Sequence, residues 1–120
     1  MNKKTLVIGA SLKVERYSNM AIRKLVNHCH DVVAIGLKTG VVSGVELDTD
    51  LVDYKCIHTV TLYLNPSRQK YYFDYILSLR PKRVIFNPGT ENPEFYSLLK
   101  ANNIDFEEAC TLVLLSTNQY

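Results

Sequence analysis

The residues best suited to chemistry in this chain form an anion-binding set rather than a catalytic one. Gly9-Ala10-Ser11 closes an apolar run, and after a short spacer Arg16-Tyr17-Ser18 follows. Glycine permits a tight turn and close approach of backbone to ligand, serine supplies a hydroxyl, and the free amides opening a helix attract phosphate. The stretch matches neither GxGxxG nor GxxxxGK[ST], so by itself it reads equally as a phosphate cradle or as a plain strand-to-helix corner. Lys38 adds a second signal. A nicotinamide dinucleotide site usually places Asp or Glu after its second strand to hold a ribose 2′-hydroxyl, whereas Gly36-Leu37-Lys38 stands here. A lysine suits a ribose that carries a phosphate. Two common cofactors qualify, coenzyme A with its 3′-phosphate and the 2′-phosphorylated nicotinamide dinucleotide NADP, and a solvated loop lysine is the bland alternative.

Other chemistries find no support. Glu107 and Glu108 are adjacent and would not converge on one reacting atom as a general acid–base pair must. Asp48, Asp50 and Asp53 lack the glycine and terminal glutamate of a calcium loop. No Gly-x-Ser-x-Gly elbow is present. Cys29, Cys56 and Cys110 are odd in number with no CxxC pair, which excludes a disulfide framework and a structural zinc site and leaves an expectation of buried small hydrophobes. His28 and His30 suit the end of a helix, where the dipole favours them, better than a metal site. Tyr63, Tyr71, Tyr72 and Tyr75 are better explained by core packing or a homodimer contact than by base stacking.

These side chains need elements to hold them. A chain of 120 residues that is 47% hydrophobic supports one core, so residues 1–120 are read as one domain. A net charge of +2 gives no field that implies nucleic acid or a membrane surface. The apolar stretch near the start is far shorter than the ~20 residues of a membrane span and lacks a secretory cleavage site, so a reducing cytoplasm is expected. Residues 5–9 and 31–35 are unbroken apolar runs, typical of strands covered on both faces, and the helical spacing of Met20, Ala21, Leu25 and Val26 joins them, with Ser18 or Asn19 as N-cap. Residues 41–54 suggest short extended pieces or a hairpin. A strand over 57–64, a helix opened by Asn65-Pro66, a strand over 83–86, a helix over 93–101 and an edge strand over 104–106 follow, and residues 110–115 read as helix or strand. The alternation predicts an α/β, Rossmann-like, doubly wound parallel sheet of about five strands in the order 3-2-1-4-5, in three αβα layers. Ligands of such sheets bind beyond the carboxyl ends of the strands. There the loops would gather Ser11, Lys13, Arg16, Tyr17, Ser18, Lys38, Ser67, Arg68, Asn87 and Thr90, against only Glu15 and Glu91.

With these motifs in order, the chain resembles the stand-alone coenzyme A-binding proteins, whose fold is similar to the nucleotide-binding domain of succinyl-CoA synthetase. The likeness runs over nearly the whole chain and is most specific in the Gly-Ala-Ser, spacer, Arg-Tyr-Ser opening. It implies that Gly9, Ala10, Ser11, Arg16, Tyr17 and Ser18 hold the pyrophosphate and adenosine, and that Lys38 holds the ribose phosphate. It further implies that Pro66 and Arg68 border the adenine or pantetheine, and that Cys110 matches a cysteine near the family's chain end. The chain departs from the family at Gly36-Leu37, where Asn-Pro is common. It departs again at Asn87-Pro88-Gly89-Thr90-Glu91, where a glutamine loop is usual, and at Glu108-Ala109, where Asp-Arg is frequent. The resulting expectation is a non-catalytic coenzyme A-binding protein. The alternatives are a small NADP-binding oxidoreductase or redox-sensing domain, and a ligand-free interaction module.

Overall fold

The computed structural model describes residues 2–120. Strand β1 (Thr5–Ala10) leads into helix α1 (Tyr17–Asn27) and strand β2 (Val32–Gly36), and a short hairpin of β3 (Gly40–Val42) and β4 (Val45–Asp48) follows. Next come β5 (Thr59–Leu62), α2 (Pro66–Gln69), a 3₁₀ turn over Lys70–Tyr72 and α3 (Phe73–Leu79). The chain finishes with β6 (Arg83–Phe86), α4 (Pro93–Ala101), β7 (Asp105–Glu108) and α5 (Thr111–Ser116).

One sheet of 7 strands runs in the order β3-β4-β2-β1-β5-β6-β7. All neighbouring pairs are parallel except β3 with β4. This corrects the expectation of five strands ordered 3-2-1-4-5. The hairpin explains the difference: β4 pairs Leu47 with Ala34 and Asp48 with Ile35, filling the edge of β2 where the strand over 57–64 was expected. That strand, β5, pairs instead with the free side of β1, Thr5 opposite Thr59 through Ile8 opposite Leu62. The point where strand order reverses therefore lies between β1 and β5.

Both faces of the sheet are buried, as the unbroken apolar runs require. On one face Leu6, Ile8, Ile35, Val60, Leu62, Val84 and Phe86 pack with Phe73, Ile76, Phe95 and Leu99 of α3 and α4. Phe73 and Phe95 stack at 4.3 Å between ring centroids, locking those two helices together. On the other face Val7, Ala10, Ala34 and Leu47 pack with Ile22 and Leu25 of α1 and Leu115 of α5. The segment over 110–115 is thus a helix, and it completes the third layer.

Two local expectations are corrected. The N-cap of α1 is Arg16, with extended backbone and no side-chain capping bond; Ser18 and Asn19 lie buried within the first turn. The cysteines are not buried hydrophobes, because Cys29 and Cys56 are exposed and Cys110 is half-buried. Cys29 and Cys56 take positive φ angles of 64° and 57° at turns, which brings them to the surface instead of onto a core face.

Candidate functional site

The turn after β1 is built from three close approaches. Gly9 takes φ +93°, and a Cβ there would lie 3.1 Å from the Tyr63 carbonyl, just past the end of the neighbouring β5. The β1–β2 register slips at this point, so that Ile8 faces Ile35 but Ala10 faces Gly36. Ala10 is carried over Gly36 so closely that a Cβ on Gly36 would meet the Ala10 carbonyl oxygen at 2.3 Å. Beyond the turn, Asn19 Nδ2 donates to the Ser11 carbonyl at 2.9 Å, and Arg23 donates to Asn19 Oδ1 and the Val14 carbonyl, both at 2.9 Å. Two side chains of α1 thus hold the loop that precedes it. Leu12 is seated over Gly40, where a Cβ would come within 2.5 Å of its Cδ2.

On the far side of β1, Asn65 caps α2 by accepting from the Arg68 amide at 3.0 Å, with Pro66 at the first helical position. The next loop is held from beneath. Asn87, buried, donates to Thr61 Oγ1 at 2.7 Å and the Leu62 carbonyl at 2.9 Å, and its Oδ1 accepts the Thr111 amide at 2.9 Å. Thr90 Oγ1 donates to the Asn87 carbonyl at 2.8 Å, shaping Pro88-Gly89-Thr90 into a compact turn.

These loops enclose an open cleft of about 580 Å³ at the carboxyl ends of β1, β2, β5 and β6. Of the residues singled out in the sequence, Gly9, Ala10, Ser11, Arg16, Tyr17, Ser18, Lys38 and Arg68 line it together; Pro66 and Cys110 do not. Cys110 stands immediately before α5, and Pro66 at the start of α2. Pro88 and Gly89 lie in the loop after β6 that departs from the family pattern, whereas the wall residues Tyr63, Leu64 and Tyr72 were not assigned to a site from the sequence. Tyr72, expected in core packing or a homodimer contact, ends the 3₁₀ turn over Lys70–Tyr72 and lines the cleft.

The electrostatics of the cleft are one-sided. Lys13, Arg16, Lys38 and Arg68 line it and no carboxylate does. Among the described residues the ion pairs are Lys55 with Asp53, Lys70 with Glu94 and Arg83 with Glu107, so none of the four lining cations is neutralised that way. The first turn of α1 holds no acidic residue, leaving its amides to the cleft. Burial raises the hydroxyl pKa of both Tyr63 and Tyr72, so neither adds negative charge near neutral pH. The cations Lys13, Arg16 and Lys38 come from the loops after β1 and β2. The half over β5 and β6 is lined by Tyr63, Leu64, Asn65, Arg68, Tyr72, Pro88, Gly89 and Thr90, so Arg68 is its one cation. The arrangement gathers three cations at one end and mainly uncharged, hydrogen-bonding groups at the other, with Arg68 among them.

A doubly wound domain with a cationic cleft at its switch point is the architecture of a nucleotide-binding module. The chain belongs to the CoA binding domain family, which matches residues 3–116. A crystal structure described as that of an uncharacterized protein superposes with a TM-score of 0.97 at 43% identity, covering 100% of this chain and 99% of that one. A Thermus thermophilus protein described as cell-free ID.343 gives 0.86 at 24% identity, covering 99% and 91%. A hypothetical protein from Pyrococcus horikoshii OT3 gives 0.81 at 25% identity, covering 94% and 82%. No curated protein matches the chain at a significant level.

Proposed function

We propose that this protein binds coenzyme A in the cleft as a non-catalytic carrier or sensor of the cofactor. The observation that carries this reading is the division of the cleft. Lys13, Arg16, Lys38 and the first turn of α1 surround one half with donors and no carboxylate, while Tyr63, Asn65, Tyr72 and Thr90 make the other half mainly uncharged, with Arg68 its one cation. Coenzyme A has the matching division, a nucleotide with 5′-diphosphate and 3′-phosphate joined to an uncharged pantetheine arm. The cations suit the phosphates by charge-assisted hydrogen bonding, and the mainly uncharged, polar wall suits the amides of the arm. Membership of the CoA binding domain family supports the same ligand.

Calorimetric titration with coenzyme A, with NADPH as the competing ligand, tests the reading. Saturable heat and a thermal shift with coenzyme A are expected, with weak or no response to NADPH. The absence of heat at millimolar coenzyme A would overturn it, and preference for NADPH would select the nicotinamide cofactor.

A further inference from the structure

We propose that Gln69, which does not line the cleft, is a positioning residue that ties together the loops after β5 and β6 and so governs how the uncharged arm of the ligand is held. The proposal rests on the coenzyme A reading above and adds to it a specific residue and a division of labour.

Gln69 is 0% exposed. A primary amide so deeply buried is costly unless its groups are paired. Each is engaged with a group outside its own helix. Nε2 donates to the Leu64 carbonyl at 2.8 Å and to the Thr90 carbonyl at 2.7 Å, and Oε1 accepts from Asn92 Nδ2 at 3.0 Å. Asn92 is itself buried. Leu64 and Thr90 both line the half over β5 and β6, one in the loop after β5 and the other in the loop after β6.

The backbone ladder cannot do this work. Pairing of β5 with β6 ends at Leu62 opposite Phe86, short of both Leu64 and Thr90. One NH₂ group therefore spans the gap between two carbonyls, and Asn92 fixes which way that group faces. The chemistry is specific to glutamine. A carboxylate would set an acceptor against two acceptors, and asparagine, one methylene shorter, would not reach both carbonyls. The loops after β1 and β2, which carry Lys13, Arg16 and Lys38, are held separately by Asn19, Arg23 and the Ala10–Gly36 contact. Loss of the clamp should therefore move one half of the cleft and spare the other.

The test compares two probes by calorimetry: coenzyme A, and adenosine 3′,5′-bisphosphate, which has the phosphorylated nucleotide without the arm. Gln69→Glu, which loses both Nε2 hydrogen bonds, is expected to weaken coenzyme A by about tenfold and to leave the bisphosphate within about twofold of wild type. Its coenzyme A affinity should recover as pH falls, beyond any wild-type trend, because a protonated carboxyl regains one donor. Asn92→Ala removes only the support of Gln69 and serves if the glutamate variant does not fold; the same selective loss, by about threefold, is expected. Equal loss of both probes in a folded variant, or loss of neither, would overturn the proposal.

Hydrogen exchange of the ligand-free proteins keeps the two readings apart. The positioning role requires faster exchange at residues 64–68 and 88–91 and unchanged exchange at residues 9–16, and uniform exchange would refute it. If wild type takes up neither probe, the coenzyme A reading fails while the exchange comparison still decides whether Gln69 holds the two loops.

Discussion

The carbonyl oxygen of Ala10 lies where a side chain on Gly36 would begin, 2.3 Å from the position of an added Cβ. The atom in the way belongs to backbone, so no rotamer change relieves the clash. Gly36→Ala is therefore expected to lower stability by roughly 1–3 kcal/mol, as overpacking a closed site does, and to displace the Gly9-Ala10-Ser11 turn. Urea unfolding checks the first effect and coenzyme A titration the second. A variant of wild-type stability would show that the strands separate freely at this point.

The four cleft cations face solvent without acidic partners, so their contribution should appear in binding and not in folding. Arg16→Ala and Lys38→Ala are each expected to weaken coenzyme A by about tenfold, the value of a charge-assisted bond of ~1.4 kcal/mol, with unfolding midpoints unchanged. Added salt should weaken wild type more than either variant. Loss of stability without loss of affinity would count against an anion site.

Asn87 ties three elements together, and its replacement separates packing from polar pairing. Asn87→Leu keeps the bulk but leaves the Thr111 amide and the Leu62 carbonyl without that partner. A cost of about 2–4 kcal/mol is expected from two buried groups left unpaired, measured by chemical denaturation. Because the Thr111 amide opens α5, hydrogen exchange should rise there first.

At the opposite end of the sheet two histidines make stability depend on pH. His30 Nδ1 accepts the Lys3 amide at 2.9 Å, and His58 Nδ1 lies 2.8 Å from Thr59 Oγ1, which also accepts from Arg83 Nε. Burial first, and then the neighbouring cations Lys3, Lys82 and Arg83 with the other histidines, hold both pKa values below the ordinary 6.5. With the folded value depressed, stability is complete above the unfolded pKa. As pH falls below it the unfolded chain takes up protons first, and stability is lost progressively down to the folded values. Unfolding free energies measured between about pH 7.5 and 5 should therefore decline, and a His30→Gln, His58→Gln variant should decline less. Equal slopes would exclude these two groups.

Features of the site fixed by neighbouring residues were legible in the sequence. The Gly9-Ala10-Ser11 turn, the Asn65-Pro66 helix start and the break at Lys38 each follow from local backbone chemistry, and most of the residues they named meet in one cleft. The strand order was not legible, because it depends on which segment wins the edge of β2. Residues 40–48 pair there through contacts that no local periodicity records. The same holds for Gln69, whose three partners lie as far as 23 residues away and whose helix is only 4 residues long. Likeness to a family grouped Cys110 with the cleft residues; the fold sets it immediately before α5, and it is not among the residues that line the cleft.

Helix α1 begins at Arg16 without a side chain to satisfy its first amides. Helices commonly gain ~1 kcal/mol from such a cap, so the ligand-free protein forgoes stabilisation that an Asp or Ser at this position would supply. A bound phosphate would take the place of the cap, and folding and ligation would then be linked: stability would rise with the logarithm of ligand concentration above Kd. The choice of buffer becomes part of the thermodynamics, since inorganic phosphate or sulfate could act as a temporary cap and narrow the apparent gain from the cofactor.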